Sequence, residues 1–167
     1  MCFIGWVTKV KNQKQCGSCS CFAQVGMAET SLLKAGALKE GLDLSEDWLL
    51  NCRQDGQTDV CKGAHIDIYA KYMIKNGVIH ENTSPYSTQY GSELGPCITQ
   101  HYWSPGYKFE KVVTEYGNPY SWSEGPTDEQ IMMQVMEHGS SVIGVYSKDI
   151  YNLGSGVEDK CRYFEIH

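Results

Sequence analysis

Three cysteines fall close together in the stretch Asn12-Gln13-Lys14-Gln15-Cys16-Gly17-Ser18-Cys19-Ser20-Cys21-Phe22-Ala23. A Gly-Ser turn there delivers Cys19 onto the first turn of a predicted helix. Phe22, Val25, Leu32 and Leu33 recur on one helical face, Gly26 and Ala28 allow close packing, and Gly36 is a stop. At a helix N-terminus the free backbone N–H groups and the dipole favour negative charge. A thiol there is presented as thiolate, the nucleophilic form. Spacing alone also allows disulfide halves, buried small apolar groups or zinc ligands. For zinc the set is incomplete: Cys52 and Cys61 lie nine apart, and no His-x-x-x-His occurs. The reading assigns no metal and no cofactor.

Val7-Thr8-Lys9-Val10-Lys11-Asn12-Gln13, followed by Cys16-Gly17-Ser18-Cys19, resembles the start of the mature papain-like cysteine proteases, the papain and cathepsin L group. His167 lies 148 residues after Cys19, at the separation typical of that family. Ser20 departs from the pattern, since an aromatic is usual there. The resemblance implies a cysteine endopeptidase with Cys19 as nucleophile, His167 as its acid–base partner and the side-chain amide of Gln13 as an oxyanion donor. It implies a thioester intermediate. No long histidine-bearing insertion points to an exopeptidase. Cys61-Lys62-Gly63-Ala64 stands where the family has Cys-Asn-Gly-Gly, so Gly63 and Ala64 form a substrate ledge and His65 and Ile66 lie beside a side-chain pocket. A tight turn before a helix is the plainer reading of the same residues. Glu165 is expected at that pocket's side. Ala64 in a glycine position crowds the substrate.

The resemblance also pairs Cys16 with Cys61 and Cys52 with Cys97. It leaves Cys21 as a buried apolar group. The implied architecture is α+β, with a helical subdomain over 1–106 and an incomplete antiparallel β-barrel over 107–167. The family carries further residues before Val7, including an Asp-Trp pair and a prosegment. After its histidine come more strands and an Asn-Ser-Trp-Gly segment whose asparagine orients the imidazole. On that comparison this chain is a part of the family's domain, completed by a further segment or chain. The alternative is a papain-like module that binds peptides or a protein inhibitor without cutting; Ser20 and Ala64 favour it.

Bulk composition agrees with a folded protein of this class. A chain of 167 residues buries roughly 70% of its unfolded surface, enough for one substantial domain or two small subdomains. Fourteen basic against twenty acidic residues leave a net charge of −6, with no electrostatic reason to bind nucleic acid or an anionic membrane. No apolar run approaches the ~20 residues that span a bilayer. Eight cysteines point to an oxidising compartment, and the family resemblance implies a lysosomal or extracellular one. The sequon Asn82-Thr83-Ser84 agrees weakly.

The remaining elements follow from local chemistry. Trp6-Val7-Thr8-Lys9-Val10 alternates as an edge strand does. Ser45 is an N-cap with Glu46 and Asp47 in the first turn behind it. A third helix opens at Ile66 and ends at Asn76-Gly77. Tyr107 to Glu115 and Ser141 to Tyr146 read as strands. Between them Thr127-Asp128-Glu129-Gln130 is a capping box, opening a helix whose Ile131, Met132, Val135 and Met136 are predicted core.

Overall fold

The computed structural model describes residues 6–37, 41–53, 55–87, 93, 95–97, 106–111 and 126–142. Its elements run α1 (Cys19–Lys34), α2 (Glu46–Asn51), α3 (Ile66–Asn76), β1 (Val78–Ile79), β2 (Gly106–Tyr107) and α4 (Asp128–His138).

The first helix lies at the centre, with α2 and α3 packed on it. Its buried face carries Cys21, Val25, Ala28 and Leu33. Phe22 and Leu32 sit at the flanks of this face and are only partly buried. Leu44, Leu49 and Leu50 around α2 and Tyr69 and Met73 of α3 close the core, and Trp48 meets Tyr72 edge-on at 5.4 Å. At the end of α1, Gly36 adopts φ +94°. Its N–H donates to Leu33 O at 3.1 Å and the Ala37 N–H to Leu32 O at 2.9 Å. That is a Schellman closure, which favours glycine because the left-handed backbone costs it no Cβ clash.

The predicted caps form. The Ser45 hydroxyl accepts from the Trp48 N–H. Thr127 and Gln130 make a reciprocal capping box. At the other end of α3, Gly77 takes φ +82° after Asn76.

Three expectations change. Residues 7–13 form no strand: Val7 and Val10 are 56% and 95% exposed, and the segment is tied down by the side chains of Thr8 and Lys11 instead. Antiparallel pairing at residue 107 is limited to Val78↔Tyr107 and Ile79↔Gly106; residues 108–111 leave the sheet, and 112–115 lie outside the described residues. The third change concerns α4, in which no residue is buried; Met132 and Met136 are 45% and 69% exposed. This helix touches α1 through its C-terminal end, where the Lys34 ammonium donates to the Met136 and Glu137 carbonyls. Its apolar stripe therefore does not enter the α1–α3 core. The strand predicted over 141–146 falls mostly outside the described residues.

Beneath residues 7–13 lies a charged cluster. Lys11 Nζ sits 2.8 Å from Glu29 Oε1, 2.8 Å from Asp43 Oδ1 and 2.9 Å from Glu46 Oε1. It also donates to Leu44 O at 2.7 Å. Burial opposes the Lys11 charge, but the carboxylates of Asp43, Glu29 and Glu46 outweigh it and hold the ammonium above its ordinary range. One ammonium cannot neutralise three carboxylates. Burial pushes Glu46 up to about 7, against the pull of Lys11, with Glu81 adding to the rise.

The sign follows. The folded state keeps the Glu46 proton where the unfolded chain has lost it. The stability that Glu46 contributes is thus fully present below its ordinary value of 4.5 and is lost as pH rises from there to about 7. The full effect is about 3 kcal/mol. In Glu46→Gln, urea unfolding at pH 5 and pH 7.5 is expected to give a smaller stability difference than in wild type. An unchanged difference would assign the slope to other groups.

Candidate active site

Cys19 is the first residue of α1 and is exposed. Two residues on, Cys21 is a free thiol of opposite character. It is fully buried, with Sγ 3.6 Å from Glu46 O. Burial raises its pKa well above the ordinary value, so it stays a neutral thiol.

The turn before α1 is fixed from two sides. Cys16 is bonded to Cys61 across 45 residues, and Cys52 to Cys97 across another 45, the two pairings that the resemblance implies. The first bridge draws the 61–63 loop against Gly17. A Cβ on Gly17 would stand 2.2 Å from Cys61 O, so no side chain fits there. Gly63 adopts φ +81°, a conformation that favours glycine. Its carbonyl accepts from both terminal nitrogens of Arg53 at 3.3 Å.

Arg53 was not foreseen from the sequence. Its side chain is 1% exposed and is held by the Asp55 carboxylate and by Tyr69, whose Oη is 3.2 Å away. The Asp55 hydrogen bond is the first cause of a raised Arg53, and the Arg53 hydrogen bond in turn lowers Asp55. The pair stays ionised.

Gln13 opens the same turn, its carbonyl accepting from the Cys16 N–H at 3.4 Å. Its side-chain Nε2 donates to Cys16 O at 2.8 Å, and its carbonyl accepts from Tyr86 Oη at 2.9 Å. An amide NH₂ carries two hydrogens, so one donor of Gln13 remains beyond the Cys16 bond. Tyr86 also lies 3.2 Å from Ser18 Oγ and packs edge-on against Phe22 at 4.9 Å. The sequence does not single Tyr86 out, because nothing in a lone tyrosine marks a contact made 73 residues away.

Ala64 is partly buried, as is His65, the residue before α3. The His65 Nδ1 lies 2.6 Å from Asp67 Oδ1. Lys71 is the larger cause, and His65 a further one, that keeps the Asp67 carboxyl below its usual range. Ile66 opens α3. The structure thus gathers Gln13, Cys16, Cys61 and Gly63 around the turn that leads into Cys19. His167 and Glu165 lie outside the described residues. Among the described residues no three His, Cys, Asp or Glu side chains stand where they could hold a metal ion, and no helix is long and apolar enough to cross a membrane.

An exposed cysteine thus stands at the head of α1, on a turn stapled to a glycine loop. The sequence places it in a family. Residues 4–166 match the model of the papain family cysteine proteases, and the chain belongs to that family, whose papain-like fold it shares. It is 30% identical over 161 residues to a cysteine protease of Blomia tropicalis, covering 90% of this chain and 43% of that one. It is 40% identical over 90 residues to procathepsin L of Rattus norvegicus, covering 53% of this chain and 26% of that protein. Against the solved digestive procathepsin L 3 of Tenebrio molitor larval midgut the TM-score is 0.45, at 34% identity over 51% of this chain and 27% of that one. The chain spans less than half the length of these relatives.

Proposed function

We infer that this chain carries the nucleophile of a cysteine endopeptidase that cuts peptide or protein substrates. The observation that carries the reading is the exposed Cys19 at the start of α1, beside the Gln13 amide and the Gly63 loop. In this mechanism the Cys19 thiolate attacks the substrate carbonyl, and negative charge develops on its oxygen. The Cys19 N–H and the second hydrogen of the Gln13 amide stabilise that oxyanion; each such donor contributes about 3 kcal/mol. His167, as imidazolium, protonates the departing amine as the C–N bond breaks and a thioester forms. Water then adds with His167 as base, releasing the acid and regenerating the thiolate.

Gly63 and Ala64 pair with the substrate backbone, and His65, Ile66 and Glu165 border the side-chain pocket. The proposed architecture is a helical subdomain over 1–106 facing an antiparallel barrel subdomain from 107 onward, with the cleft between them. Two disulfides fit a lysosomal or extracellular setting. A protein inhibitor would occupy the same cleft.

The test is the pH dependence of alkylation by iodoacetamide, with the modified peptide located by mass spectrometry. Labelling at Cys19 that stays rapid below pH 6 is expected from a thiolate–imidazolium pair. Labelling that rises only near the free-thiol range of about 8.5 would sink the reading. Rapid labelling without turnover of fluorogenic peptides would favour the peptide-binding module, for which Ser20 is the pointer: its hydroxyl is buried without a hydrogen-bond partner among the described residues.

A further inference from the structure

We propose that Tyr86 is a positioning residue for the Cys19 site: it holds the Ser18 hydroxyl away from the head of α1, leaving the first N–H groups of that helix available to negative charge on the Cys19 sulfur. This rests on the reading of Cys19 as a nucleophile.

Serine before a helix ordinarily turns its oxygen onto the second or third N–H. Ser45 and Thr127 do so in this chain, both from extended backbone. Ser18 occupies the same position on α1 and does not. Its backbone sits at φ −98°, ψ 16°, and its side chain makes no cap bond.

Where that hydroxyl goes is set by proton accounting. Tyr86 donates its phenolic hydrogen to Gln13 O at 2.9 Å. The 3.2 Å contact with Ser18 Oγ must therefore be donated by serine into a phenol lone pair. Ser18 is completely buried, so water does not compete.

The phenol is itself held in place. Its ring meets Phe22 at an interplanar angle of 87°, and the Tyr86 N–H donates to the Glu81 carboxylate. On either side, Ser84 and the Ser87 N–H bond the Asp47 carboxylate, while Ser45 Oγ donates to Ser84 O at 2.6 Å. The 84–87 segment is thereby pinned to the start of α2. Through one oxygen it fixes both the Gln13 backbone and the residue before the nucleophile.

The consequence lies in the first turn of α1. The Cys21 and Phe22 N–H groups already bond Ser18 O at 2.9 and 3.1 Å. The Cys19 and Ser20 N–H groups precede them at the positive end of the helix. A Ser18 cap on the Ser20 N–H, the second of the helix, would consume that donor and bring an oxygen lone pair beside the sulfur. The tyrosine prevents this.

The experiment measures the second-order rate of Cys19 alkylation by iodoacetamide at pH 6.5 in four versions of this chain: wild type, Tyr86→Phe, Ser18→Ala and the double variant. Tyr86→Phe keeps the ring on Phe22 but frees Ser18 to cap, and is expected to label about fivefold more slowly. Ser18→Ala cannot cap and should label within about twofold of wild type, and adding it to Tyr86→Phe should restore the rate to the same range. General loosening predicts the reverse, because the double variant has lost more contacts. A wild-type rate in Tyr86→Phe, or a double variant as slow as Tyr86→Phe, would overturn the proposal. If wild-type Cys19 labels no faster than glutathione, the nucleophile reading fails first, and this inference with it.

A second measurement needs no variant. Amide exchange of Ser20 in the wild-type chain should be at least about tenfold faster than that of Cys21 and Phe22. Equal protection would mean that Ser18 caps α1 after all.

Discussion

Cys19→Ser is expected to lower kcat/KM toward peptide substrates by at least about 10³-fold, because an alcohol at neutral pH is not the anion that the mechanism needs. The exchange replaces sulfur by oxygen at an exposed position outside the core. Folding stability should stay within about 0.5 kcal/mol of wild type. A Cys21→Ser variant is the control, because that thiol is buried and kept neutral by its surroundings. It should retain alkylation at Cys19 while losing stability, since a hydroxyl replaces a packed sulfur. Turnover that survives in Cys19→Ser and fails in Cys21→Ser would place the nucleophile on the wrong cysteine.

Removing the Cys16–Cys61 bridge, as Cys16→Ser/Cys61→Ser, is expected to cost about 4 kcal/mol, the chain-entropy value for a closed loop of 45 residues. For a chain of this size that corresponds to a fall in Tm on the order of 10 °C. The bridge also presses Cys61 O onto Gly17 and holds Gly63 beside the turn that leads into Cys19. Under conditions where the variant is still folded, its activity should therefore fall further than its folded fraction. Thermal unfolding followed by circular dichroism, beside an assay at a temperature well below the transition, separates the two effects. An unchanged Tm would show that the unfolded chain is constrained by something other than this bridge.

Much of the local structure was legible in the residues themselves. Ser45 before Glu46, Thr127 three residues before Gln130, and the glycines after Leu33 and Asn76 act over a few positions, so their geometry follows from their order. Cys19 at the head of a helix was legible for the same reason. The disulfide pairs came from the family resemblance alone, because spacing does not determine connectivity.

Where the outcome depended on a distant partner, periodicity misled. Trp6-Val7-Thr8-Lys9-Val10 alternates like a strand, yet strands exist only in pairs, and this segment is held by Thr8 and Lys11 side chains on Glu29. Met132 and Met136 have core spacing, but α4 meets α1 through its last turn, and both side chains stay exposed.

By itself, then, the sequence determined the family, the helix ends and the cysteine that heads α1. Only the tertiary structure decided which groups surround that cysteine. Tyr86 reaches Ser18 across 68 residues and Gln13 across 73, and Arg53 holds the Gly63 carbonyl from the far side of a loop. The reason is physical. Caps and turns are made by atoms a few bonds apart, whereas a phenol that touches both Gln13 and Ser18 is brought there by the packing of α1, α2 and the 84–87 segment against one another.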